Sequence, residues 1–179
     1  MTTASGYPAK AVPGFPADSV NWALDGGVPT TFGLVVSGSN LGQNYGPLTA
    51  ISGTVGAAAT AARRSIPAIA ISQGFPADGT SFDFPASVAV LTAYLDATLE
   101  DYRNGVGPAL VSINVPTCPV GVPVLATLEI PSAASDNGRQ LGAPTACDGN
   151  PANPVDDIDG FNAGHPVISE LDPVTLAAA

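Results

Sequence analysis

Between residues 34 and 115 the chain alternates short apolar runs with helix-forming segments, and this limits the folds open to it more than any other feature. Leu34-Val35-Val36 is a compact apolar run that fits a buried strand. An alanine-rich stretch through Arg64 has strong helix propensity, and Pro67 marks its end. Ile66 to Ser72 reads as a second buried strand, short and partly β-branched. Ala86 to Arg103 is the clearest helix, because Val88, Leu91, Leu95, Leu99 and Tyr102 recur at helical spacing. Ala109 to Val115 makes a third buried strand, closed by Pro116. This order implies a parallel sheet with crossover helices, an α/β layered fold. Ligands of such sheets bind outside the carboxyl ends of strands, and the loop after Val36 sits at such an end.

The flanks read less sharply. Pro16 can open a short helix over Ala17 to Leu24 that Gly26-Gly27 ends, with Trp22 expected in the core. Val124 to Ile130 could form a fourth strand and Val167 to Leu171 a last short one. Residues 131–160 read as a loop region, and the terminal alanines as frayed. Residues 1–116 are thus expected to hold the α/β domain and 117–179 a loop-rich extension of it.

Composition removes several functions. With 179 residues, 45% of them hydrophobic, the chain has room for one domain with a real core. Five basic residues face fifteen acids, for a formal net charge of −10. Such a surface repels polyphosphate backbones, so no nucleic-acid partner is expected. No apolar run has the length of a membrane span, and Met1 to Lys10 lacks the apolar stretch of a secretory signal. Any phosphate site here must draw its positive potential from a metal or from backbone amides. Cys118 and Cys147 lack zinc-knuckle spacing. They are either two unrelated thiols or a disulfide tying the carboxy-terminal loops, which would require an oxidising compartment.

Ser37 to Gly56 is the informative segment. Ser37 to Gly46 is polar and glycine-rich and reads as a loop. Glycines 38, 42, 46, 53 and 56 let the backbone approach a ligand closely. Asn40 and Asn44 offer amide oxygens that suit hard cations. Ser52 is an N-cap candidate, and Ser52-Gly53-Thr54 opens a helix whose first amides form an anion site. The bland alternative is a glycine-rich turn whose Asn and Ser cap backbone groups.

Leu34-Val35-Val36-Ser37-Gly38-Ser39-Asn40-Leu41-Gly42-Gln43-Asn44-Tyr45-Gly46, with Ser52-Gly53-Thr54-Val55-Gly56-Ala57-Ala58 behind it, resembles the signature of the SurE family of nucleotidases and acid phosphatases. Gly14 to Val20, Arg63 to Ser72 and Ile113-Asn114-Val115-Pro116 extend the resemblance in order. It implies a Rossmann-like three-layer parallel sheet, truncated at its amino end. It implies a metal-dependent phosphomonoesterase acting on nucleoside monophosphates or similar small-molecule phosphate esters, with magnesium or manganese as cofactor. Asn40 matches the family's metal-binding asparagine, Asn44 a second catalytic asparagine, and Ser52, Gly53 and Thr54 the phosphate-binding turn. Homodimers and a cytoplasmic location are implied too, with a periplasmic or secreted location as the alternative. The family's Asn-Asp-Asp-Gly strand end and its serine ligand have no match here. That departure predicts impaired activity, or a non-catalytic binding module that keeps the scaffold.

Other motifs carry little. Asp156-Asp157-Ile158-Asp159-Gly160 lacks the acid and the glutamate an EF-hand needs, where Val155 and Pro166 stand, and reads as a solvated acidic loop. His165 is the one histidine and reads as a surface or packing residue. Gly53-Thr54-Val55-Gly56 lacks the lysine of a P-loop. Arg63 and Arg64 favour the negative pole of their helix.

Overall fold

The computed structural model describes residues 1–80 and 82–179. Among these residues five strands form one sheet in the order β1-β2-β3-β5-β4. They are β1 (Val35–Leu41), β2 (Ala68–Gln73), β3 (Leu110–Val115), β4 (Leu128–Glu129) and β5 (Val167–Glu170). Helix α1 (Pro16–Trp22) precedes them, α2 (Gly53–Ala62) joins β1 to β2, α3 (Phe84–Arg103) joins β2 to β3, and α4 (Asp157–Ala163) leads into β5. The first three strands run parallel, as the alternation requires.

The sheet is nevertheless mixed. β5 lies antiparallel to β3 and parallel to β4. A parallel return needs a crossover that carries the chain back along the sheet. Here α4 stays near the carboxyl end of β3, where the Phe161 ring lies against Gly74, itself beside Pro116. Gly164 then closes α4 in the left-handed conformation at φ +105°. The chain re-enters the sheet where β3 left it, so Val167 pairs with Asn114.

Every residue of β2 and β3 is buried, because helices cover both sheet faces. Ala68 and Ala70 pack with Val55, Ala58, Ala59 and Ala61 of α2. Ile69 and Ile71, on the opposite face, pack with Val111, Ile113, Tyr94 and Tyr102. Alanines on both partners let α2 approach closely, which fits its alanine-rich sequence. A third cluster joins Tyr45 to Ile158, Phe161 and Val167 beneath α4.

Several expectations change. β1 is an edge strand, with Val36 42% and Leu41 50% exposed, rather than a buried one. It also runs on to Leu41, so Asn40 sits on a strand and not in a loop. The core stripe of α3 is centred on Ser87, Tyr94 and Tyr102; Val88 and Leu99 point to solvent. Trp22 is 38% exposed, on a helix with no buried residue. The fourth strand shrinks to Leu128–Glu129, and α4 begins inside the expected 131–160 loop. The end is not frayed: the Ala179 amide donates to Glu170 O at 3.1 Å. Cys118 and Cys147 form a disulfide.

Candidate functional site

At the tip of β1 the pairing with β2 shifts between Ser37 and Asn40, a bulge that absorbs Gly38 and Ser39. Only glycine fits at 38, where φ is +127° and a Cβ would collide with the Ile71 carbonyl oxygen. Asn40 follows the bulge. Its Nδ2 donates to Gly42 O at 2.7 Å and Leu41 O at 3.2 Å, which leaves Oδ1 as its acceptor. The turn is held by its neighbours. The Asn44 amide donates to Asn114 Oδ1 at 2.6 Å, and Asn114 Nδ2 donates back to Asn44 O at 3.3 Å. Asn44 Nδ2 donates to Ser72 Oγ at 2.8 Å. Asn114 and Ser72 thus fasten the turn to the carboxyl ends of β3 and β2.

A 3-10 turn over Gly46–Ile51 leads from there to α2. Ser52 caps α2 as expected, its Oγ accepting from the Val55 amide at 3.1 Å. The Gly53 and Thr54 amides belong to the first turn, which has no intrahelical acceptors for them. The hydroxyl proton of Ser52 can still be donated outward.

Asp157 anchors this turn from the far end of the chain. Its carboxylate accepts from the Gly46 amide at 2.9 Å and the Ala133 amide at 2.8 Å. It is 1% exposed, and burial pushes its carboxyl above the usual range against the pull of those two amides. Its neighbours are ion-paired: Arg139 bonds Asp156 at 2.7 Å and Asp159 at 2.8 Å. Burial works against the charge of Asp156, but the Arg139 guanidinium and the α4 amides outweigh it and hold the carboxyl low. The expected solvated acidic loop is therefore a capped, anchored helix start. His165, read as a surface or packing residue, is half-buried with Nδ1 2.6 Å from Ala126 O.

Asn40, Asn44, Ser52, Gly53 and Thr54 all line one cleft of about 320 Å³, with Gln43 on its wall. The residues that sequence reasoning selected are thus brought together. Asn114, Ser72, Gln43 and Asp157 were not selected as site residues. Gln43 is 4% exposed, donates to Ala143 O at 2.9 Å and accepts from the Phe75 amide at 3.0 Å. The available signal was their polarity inside apolar or tightly turned segments, since buried polar groups must find partners. Among the described residues no carboxylate lines the cleft. Among the described residues no group of three or more His, Cys, Asp or Glu could hold a metal.

Fold and cleft define an α/β protein with the free amides of a helix start at the strand ends. The chain belongs to the SurE family: the model of the family described as "Survival protein SurE" matches residues 2–134. It is 40% identical over 126 residues to the 5'-nucleotidase SurE of Polaromonas naphthalenivorans (strain CJ2), covering 68% of this chain and 47% of that protein. It is 37% identical over 118 residues to the 5'-nucleotidase SurE of Methanopyrus kandleri, covering 62% and 44%. The chain spans about half the length of the curated relatives it matches. The crystal structure of the SurE protein from Aquifex aeolicus shares the fold, with a TM-score of 0.64 at 18% identity, covering 91% of this chain and 68% of that one.

Proposed function

We propose that the cleft binds the phosphoryl group of a small phosphate monoester, and that the chain serves the phosphomonoesterase reaction of the 5'-nucleotidases it resembles. One observation carries this reading: the asparagine-bearing turn and the α2 start line the same hollow. A phosphoryl group seated there takes hydrogen bonds from the Gly53 and Thr54 amides and the Ser52 hydroxyl. The α2 dipole favours its charge. Those donors are fixed before the ester arrives, so they can also stabilise charge that builds on the phosphoryl oxygens during in-line displacement.

The divalent cation implied by the family, magnesium or manganese, needs several anionic oxygens. Asn40 and Asn44 supply neutral amides, and the cleft lining supplies no carboxylate. The residues present therefore do not fit a cation by themselves, and the phosphoryl-binding role stands without one. That same shortage of carboxylates favours a second reading, a binding module that holds the ester without cleaving it. The Cys118–Cys147 bridge supports an oxidising compartment, hence a periplasmic or secreted location over a cytoplasmic one.

Two measurements on the full chain separate these readings: binding of inorganic phosphate by calorimetry, and turnover of p-nitrophenyl phosphate with magnesium or manganese. Binding with turnover supports the enzyme, binding without turnover the module, and no binding overturns both. Asn44→Ala should weaken phosphate binding by up to about tenfold, because losing the Asn44 Nδ2–Ser72 Oγ bond loosens the turn that walls the cleft.

A further inference from the structure

Resting on the phosphoryl-binding reading, we propose that the Cys118–Cys147 bridge is a thiol-exchange site whose opening loosens the phosphoryl cleft. The two sulfurs are not equally placed. Cys147 is 5% exposed. Cys118 is half-buried and lines a hollow of about 570 Å³ with Phe82, Val120 and Pro123. That size lies within the range of small-molecule sites. The one charged side chain on its wall is Asp83, and the whole chain carries a formal net charge of −10. Uncharged thiols are therefore favoured there over anionic ones. A thiolate formed from such a thiol attacks Cys118 Sγ. The S–S bond breaks, Cys147 leaves as a thiolate and takes up a proton, and Cys118 is held in a mixed disulfide with the incoming sulfur. A second thiol, or the second sulfur of a dithiol, then attacks the incoming sulfur and frees Cys118. Two electrons and two protons thereby pass to the bridge, and the external thiols end as a disulfide.

Contacts on both sides of the bridge lead to the cleft. The Cys147 segment is strapped to the last turn of α4. Thr145 Oγ1 donates to Asn162 O and accepts from the Cys147 amide, and the Gly149 amide donates to Ala163 O at 2.9 Å. Cys147 packs on Gly164 so closely that a Cβ there would sit 2.5 Å from Cys147 Cα. It does so at φ +55°, a left-handed backbone that is unfavourable for a residue with a side chain. Helix α4 is only seven residues long, and its other end supplies Asp157, the acceptor of the Gly46 amide. The path from Cys118 is as short. Thr117 Oγ1 accepts from Gln73 Nε2 at 2.9 Å and donates to Gly74 O at 2.7 Å, and Gln73 O accepts from the Gly42 amide at 2.7 Å. Gly42 and Gly46 flank Gln43 and Asn44, which line the cleft. The bridge therefore closes a ring that runs from β3 through α4 to both sides of the asparagine-bearing turn. Once the sulfurs part, the Cys147 backbone can leave its left-handed conformation, α4 loses its seat, and Asp157 holds Gly46 less firmly.

Three forms of the full chain test this: oxidised, reduced with dithiothreitol, and carrying Cys118→Ser with Cys147→Ser. Calorimetry should show the reduced and serine forms binding inorganic phosphate about fivefold or more weakly than the oxidised form. Amide hydrogen exchange at Gly46 and Ala133 should be about tenfold or more faster in both, beyond any change shared with the amides of β2 and β3. A rise at Gly46 no larger than that of β2 and β3 overturns the switch, since the bridge would then be a staple of the whole fold. Faster exchange at Gly46 with unchanged phosphate affinity overturns the coupling to the cleft. The point of entry has its own readout. After brief exposure to 2-mercaptoethanol and an acid quench, peptide mass mapping should find the mixed disulfide on Cys118. An adduct on Cys147 overturns entry through the hollow. Failure of the oxidised chain to bind phosphate at all brings down the phosphoryl reading, and the switch with it.

Discussion

Asp157→Ala should destabilise the protein by about 3–5 kcal/mol, because it strands two amides in a dry interior. Its carboxylate is the acceptor for Gly46 and Ala133, and Gly46 is itself buried. Each orphaned donor costs on the order of 1–3 kcal/mol, and the deleted carboxyl leaves a space that packed neighbours fill only in part. For a chain of this size the melting temperature should fall by roughly 6–20 °C. The same change frees the turn between Asn44 and Ser52, so phosphate affinity should fall in the fraction that remains folded. Asp157→Asn keeps one acceptor and should lie between the two. Thermal denaturation of the three proteins checks the order, and a wild-type melt for Asp157→Ala would show that the anchor carries no energy.

Breaking the Cys118–Cys147 bridge should cost roughly 3–4 kcal/mol. The bridge closes a span of 29 residues, and that is the chain entropy such a loop returns to the unfolded state. Those residues include a two-residue strand among turns, and the contacts of Ala126, Ala133, Arg139 and Ala143 hold them in the folded state without shortening the unfolded chain as the bridge does. Cys147 is 5% exposed, beside Gly164 at the end of α4. Cys118 follows Thr117, whose hydroxyl donates to Gly74 O at 2.7 Å. The bridge thus ties the exit of β3 to the helix that carries Asp157. Melting with and without dithiothreitol should differ by roughly 6–16 °C, and the double serine variant should melt at the lower temperature without reductant. An unchanged melt on reduction would contradict this.

The strands and helices with strong periodicity were legible in the sequence. β2, β3 and the two crossover helices fall where apolar runs and helix formers put them, because burial on both faces imposes a run that composition alone reveals. The sequence misled where a local pattern has two outcomes. Leu34-Val35-Val36 looks the same at an edge as in the middle of a sheet. Val88 and Leu99 share helical spacing with the true core stripe but lie to one side of it. A bulge hid the strand beneath a glycine-rich string, so Asn40 read as a loop residue. The five cleft residues were legible because a helix start and amide-bearing turn announce themselves locally. Their supports were not. Asn114 lies 70 positions from Asn44, and Asp157 lies 111 from Gly46. No local pattern encodes such pairings, nor the joining of Cys118 to Cys147.

The role of the α2 start is tested most directly by following the backbone amides of the ¹⁵N-labelled protein as inorganic phosphate is added. Gly53 and Thr54 should show the largest, saturable shifts, with Asn40 and Asn44 moving in step. Saturation at some other surface, or none at Gly53 and Thr54, would contradict a phosphoryl site in this cleft.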